Sequence, residues 1–157
     1  MKVVILAGGL GTRLKPYTHA LPKPLVPVGE YPILEIVIRQ LASFGFDQIT
    51  LAVNHQAEII KAYFQDGNKW GIKIDYSLET KTLGTMGPLN LIEDLPENFL
   101  VMNGDILTDI NYAELFNFHR SGSSSFTISS ASREAKIDYG VLEVNNKNYL
   151  SGFSEKP

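Results

Sequence analysis

Apolar residues come in short runs set apart by glycine and proline. Lys2–Leu6 (KVVIL) is an unbroken run rich in β-branched side chains, the pattern of a strand buried on both faces of a parallel sheet. Gln48–Val53, Ile72–Ser77 and Asn98–Met102 are the other predicted strands of this sheet, the last of them buried. Between the first two, Ile33, Leu34, Ile36, Val37, Leu41 and Phe44 recur at helical spacing after Pro32, and Gly45 can stop that helix. Ala57–Phe64, Gly84–Glu93 and Tyr112–His119 are the other predicted helices. Phe126–Ala131, Gly140–Val144 and Tyr149–Phe153 are expected to be later strands, the last two a hairpin turning at Asn145–Asn148. Strands alternating with helices predict an α/β fold: a three-layer, Rossmann-like, mostly parallel sheet with helices on both faces.

Two segments break the alternation. Residues 7–14 are rich in glycine, and Pro16, Pro22, Pro24 and Pro27 then forbid a regular helix or a central strand, so 15–30 is expected to be a stiff, irregular loop. Long loops of this kind in compact domains are usually functional. At the other end the chain stops directly after a predicted strand, which is the expectation for one domain, 1–157, truncated at its C-terminal side.

Composition narrows the chemistry. The sequence has no cysteine, which excludes disulfides and thiol catalysis and fits a reducing, cytoplasmic setting. No apolar run approaches the ~20 residues of a membrane span, and the opening MKVVILAGG lacks the parts of a signal peptide. A net charge of −3 offers no general attraction to nucleic acid. Yet Lys2, Arg13, Lys15 and Lys23 precede the first acidic residue, Glu30. A cationic segment in an acidic chain points to a small anionic ligand.

A strand followed at once by Gly8-Gly9-Leu10-Gly11-Thr12-Arg13 suits phosphate, because glycines allow close backbone approach and present successive N–H groups. It is not the dinucleotide fingerprint, since Leu14 stands where a third small residue is needed. It is not a P-loop either, because no Gly-Lys-Ser/Thr follows. The full stretch GGLGTRLKPYTHALPKPL, residues 8–25, resembles the signature of the sugar-1-phosphate nucleotidyltransferases at every fixed position. The resemblance continues through Glu79–Leu89, Asn103-Gly104-Asp105, Tyr139-Gly140-Val141 and Glu155-Lys156-Pro157. Leu83-Gly84-Thr85-Met86-Gly87 and Asn103-Gly104-Asp105 are similar to the branch with mannose- and heptose-1-phosphate guanylyltransferases, although Met86 replaces an expected alanine.

The resemblance implies an enzyme that joins a nucleoside triphosphate, GTP by branch, to a sugar 1-phosphate and releases pyrophosphate. Arg13 and Lys23 would be catalytic, gripping phosphate oxygens while charge builds on the leaving group. Lys23 is fixed between two prolines, whereas Lys15 fills a variable position and reads as a solvated charge. Leu6, Ala7, Gly8, Gly9, Gly11, Thr12, Glu79 and Gly84 would bind the nucleotide, and Gly140, Glu155 and Lys156 the sugar phosphate. Asp105, after a parallel strand, would hold Mg²⁺ against the phosphates. Asp109 is expected to cap the helix that starts near Asn111. His19, His55 and His119 show no metal-ligand spacing, and Tyr63 and Trp70 read as packing residues. Homo-oligomerisation is a further expectation. The alternative is a non-catalytic domain of the same fold that senses a nucleotide or nucleotide sugar.

Overall fold

The computed structural model describes residues 1–9, 11–54, 56–81, 83–133 and 139–155, and of Arg13 the backbone alone. It divides into two compact units, 1–126 and 127–157.

The first unit is built on β1 (Lys2–Leu6). Two short strands, β2 (Pro27–Val28) and β3 (Tyr31–Pro32), pair with each other apart from it. β4 (Gln48–Val53), β5 (Lys73–Leu78) and β6 (Leu100–Asn103) join β1 in a four-stranded sheet of order β5-β4-β1-β6, and every pairing is parallel. The apolar runs specify this directly, because central parallel strands are covered on both faces. Val3, Val4 and Ile5 have no exposed surface, and Ile49 to Val53 are all buried.

Alternate residues divide between the two faces. On one face Val3, Ile5, Ile49 and Leu51 share a core with Leu34, Val37, Ile38 and Leu41 of α1 (Ile33–Ser43), Ile60 and Phe64 of α2 (Ala57–Phe64), and Tyr112 and Phe116 of α3 (Tyr112–Ser121). Each of these fully buried aliphatics contributes roughly 1.5–3 kcal/mol, so this layer dominates stability. On the other face lie Val4, Thr50 and Ala52, and Ala52 shares a cavity wall with Thr85 and Pro88. None of the described helices is long and apolar enough to cross a membrane.

Three expectations are corrected. Gly84–Glu93 is not an α-helix; only Gly87–Leu91 is helical, as a 3-10 turn. Gly84 is left-handed at φ +76°, and Pro88, in the first turn, has no N–H to extend a ladder. Phe126–Ala131 forms no strand, and Phe126 and Ile128 are exposed, since an extended segment becomes a strand only by pairing. Asp109 does not cap α3. Asn111 does, accepting the Glu114 N–H at 3.1 Å and donating its own amide to the Glu114 carboxylate at 2.9 Å. The proline-rich loop is irregular as expected, with 3-10 turns at Tyr17–His19 and Lys23–Leu25 before the β2–β3 pair.

In the second unit β7 (Val141–Val144) and β8 (Leu150–Ser154) form the expected antiparallel hairpin. Asn145 Oδ1 closes its turn by accepting the Lys147 and Tyr149 N–H groups at 2.9 and 3.1 Å.

Candidate functional site

Register places the site. Leu6 lies opposite both Ala52 and Asn103, and Val53 lies opposite Leu78, so the strands end at one level. The pairing runs one residue further: Ala7 N–H donates to Ala52 O at 2.8 Å, Gly104 N–H to Leu6 O at 3.0 Å, and Glu79 N–H to Val53 O at 2.8 Å. The residues that follow therefore emerge together at the carboxyl ends of the strands, where open parallel sheets bind ligands. They surround a cavity of about 450 Å³.

Its wall brings together Leu6 from the end of β1, Ala7, Gly8 and Gly9 from the first loop, Lys23 from the proline-rich segment, Glu79 and Gly84 from the stretch after β5, and Asp105 after β6. Gly8 is there for lack of space: a Cβ would lie 3.2 Å from both Asn54 Cβ and Glu79 Oε2. Beside Gly9 a Cβ would meet nothing within 4 Å among the described residues. Lys23 Nζ donates to Asp105 Oδ2, with both side chains about 30% exposed. At that exposure the pair contributes little to stability, and both groups remain open to a ligand. The Glu79 carboxylate is buried, and its Oε1 accepts the Leu83 N–H.

The other sequence-predicted residues fall elsewhere. Gly11 and Thr12 do not line the cavity. Gly11 is left-handed, φ +60°, at the start of the Thr12–Leu14 turn. Gly140 and Glu155 belong to the second unit, where a Cβ on Gly140 would lie 3.3 Å from Glu155 Oε2 and only 2.7 Å from the Phe153 ring. The Arg13 side chain, His55 and Lys156 lie outside the described residues. Tyr63 and Trp70 pack as expected, both hydrogen-bonding to Glu35.

Pro24, Ala52, Thr85, Pro88, Asn103 and Gly104 also line the cavity; the sequence reading gave no site role to Ala52 and carried the others only inside its matched motifs. Pro24, Thr85, Asn103 and Gly104 are chain neighbours of residues already singled out, so adjacency was the available signal. For Ala52 there was none, because only strand register brings it beside the glycine loop.

The cavity can take an anion against the Gly8–Gly9 backbone and the Lys23 ammonium. Among the described residues no cluster of three or more His, Cys, Asp or Glu could hold a metal by itself. A single carboxylate, Asp105, still fits Mg²⁺, which commonly uses one or two carboxylates and takes its remaining ligands from phosphate and water.

The chain is 39% identical over 163 residues to a mannose-1-phosphate guanyltransferase of Yarrowia lipolytica, covering 100% of this chain and 45% of that protein. It is 36% identical over 172 residues to a UTP–glucose-1-phosphate uridylyltransferase of Synechocystis sp., covering 100% of this chain and 44% of that one. It thus spans less than half the length of these curated relatives. Among solved structures it matches HddC from Yersinia pseudotuberculosis complexed with GMP-PN, with a TM-score of 0.64 and 29% identity, over 99% of this chain and 69% of that one. The match to the nucleotidyl transferase family runs from residue 2 to residue 157, and the chain belongs to that family.

Proposed function

We propose that this chain carries the nucleotide-handling part of a sugar-1-phosphate nucleotidyltransferase, acting on GTP with mannose 1-phosphate or a related sugar phosphate. A phosphate oxygen of the sugar 1-phosphate attacks the α-phosphorus of the triphosphate. The bond from the α-phosphorus to its bridging oxygen breaks, and pyrophosphate leaves with the electron pair. Catalysis of such an in-line transfer is mostly positioning and charge stabilisation. The observation that carries the reading is the single cavity wall shared by the Gly8–Gly9 backbone, Lys23, Glu79 and Asp105.

In this reading the glycine backbone holds phosphate oxygens, and Lys23 with Arg13 neutralises the charge that develops on them. Asp105 would hold Mg²⁺, which when bound would supply positive charge to the triphosphate and its leaving group. Gly140, Glu155 and Lys156 take the sugar phosphate. Glu79 favours guanine: a buried carboxylate only accepts, and guanine offers the adjacent N1–H and N2–H₂ donors. Uracil and thymine present a single ring N–H between two carbonyl acceptors, which a carboxylate opposes. The name of the Yarrowia relative and the GMP-PN complex agree with guanine, whereas the Synechocystis relative is named for UTP. A cytoplasmic setting, where nucleoside triphosphates are made, goes with this reading.

Pyrophosphate release, followed with Mg²⁺, each common triphosphate and a panel of sugar 1-phosphates, tests it. Release should require GTP and one sugar phosphate together. Silence with every pair, while triphosphate binding persists in calorimetry, would transfer the assignment to a nucleotide-sensing domain.

A further inference from the structure

Thr18 is 7% exposed and lies in the Tyr17–His19 turn, away from the cavity wall. Its hydroxyl donates to the Gly11 carbonyl at 2.9 Å. The same carbonyl accepts the Leu14 N–H, also at 2.9 Å, which closes the Thr12–Leu14 turn. Thr18 also fills the space beside Gly11: a Cβ there would lie 2.8 Å from Thr18 Cγ2 and 3.2 Å from Lys23 Cβ. Thr18 therefore ties down the Gly11 carbonyl and, together with Lys23 Cβ, closes the space where a side chain at this left-handed position would sit.

The consequences run two ways along the chain. Toward the N-terminus, Gly11 ends the loop whose Gly8 and Gly9 line the cavity. Across the contact, Lys23 reaches the cavity and pairs with Asp105. We infer that Thr18 is a positioning residue that locks the glycine loop to the Lys23 segment, so that backbone amides and ammonium meet the triphosphate at a fixed spacing. Resting on the nucleotide-binding reading above, this assigns to Thr18 no contact with substrate. Thr18 lies in a loop turn outside the sheet, so releasing its bond loosens the loop and leaves the sheet intact.

Two substitutions separate its parts. Thr18→Val keeps the shape and removes the donor, whereas Thr18→Ser keeps the donor and removes the methyl. Two readouts apply: amide hydrogen exchange over residues 8–14 without ligand, and the dissociation constant for GTP with Mg²⁺ by calorimetry. Thr18→Val should speed exchange in the loop and weaken GTP binding about fivefold, the worth of one buried neutral hydrogen bond. Exchange in Lys2–Leu6 should stay unchanged. Thr18→Ser should restore both readouts to near the parent values. A Val variant with parental loop exchange and GTP affinity overturns the proposal. So does one in which β1 exchange and melting temperature fall in step with the loop, for then Thr18 serves the fold as a whole. A parent protein that binds no triphosphate counts against both the nucleotide reading and this role. Parental binding with an unaffected Val variant counts against Thr18 alone.

Discussion

Two carboxylates of the first unit, Glu35 and Asp105, stand in opposite conditions. Glu35, in the first turn of α1, has no exposed surface. It accepts from Arg39 Nε and Nη2 at 2.9 and 2.5 Å, from Tyr63 OH at 2.6 Å and from Trp70 Nε1 at 3.3 Å. Burial by itself would raise its pKa, but the bonds from Tyr63, Arg39 and Trp70 and the charge of Lys69 outweigh this and hold the carboxyl below its ordinary value. Asp105 has one described donor, Lys23, and is about 30% exposed on a cavity wall. A fully buried carboxylate enclosed by four hydrogen bonds is part of the scaffold. One with spare lone pairs on a concave wall is available to a cation or a substrate.

The largest effect should come from the open site. Lys23→Ala removes the one described ammonium on the cavity wall and should lower kcat by about 10²–10³-fold, as for a lost charge-stabilising donor. Its melting temperature should stay within a few degrees, because the Lys23–Asp105 pair is partly exposed. A comparable loss of stability would place Lys23 in the scaffold with Glu35.

Glu35→Gln should do the reverse. It should cost about 2 kcal/mol in urea denaturation, because Arg39, Tyr63 and Trp70 lose a charged acceptor. Affinity for the triphosphate should not change. The substitution should also flatten the acid limb of the stability curve. Glu35 has a folded pKa below its unfolded value, so its stabilisation is complete above that unfolded value, near 4.5, and is lost as pH falls through the lower folded value. An unchanged acid limb in Glu35→Gln would mean that other carboxylates govern acid unfolding.

The smallest effect tests whether an unpaired polar atom alone marks a site. Thr50 Oγ1 is buried in β4 with no hydrogen-bond partner among the described residues, yet Thr50 does not line the cavity. Thr50→Val should stabilise the fold by up to about 1 kcal/mol and leave GTP affinity alone, because a near-isosteric swap removes an unsatisfied group. A loss of affinity would show that the second face of the sheet communicates with the site.

The sequence by itself determined the parallel sheet and its helical layer, because unbroken runs such as KVVIL and the helical spacing of Leu34, Val37, Ile38 and Leu41 each have one good way to be buried. Of the residues it singled out, Leu6, Ala7, Gly8, Gly9, Lys23, Glu79, Gly84 and Asp105 line one cavity, since a signature concentrates special residue types within short stretches. It misjudged Gly84–Glu93 and Phe126–Ala131, where local apolar spacing competes with a proline, a left-handed glycine or the want of a pairing partner. Tertiary structure alone decided that Ala52 borders the glycine loop, that Glu35 is enclosed by donors while Asp105 is open, and that Thr18 grips Gly11. These depend on strand register and on which side chains meet across the fold, and distance along the chain carries no record of either.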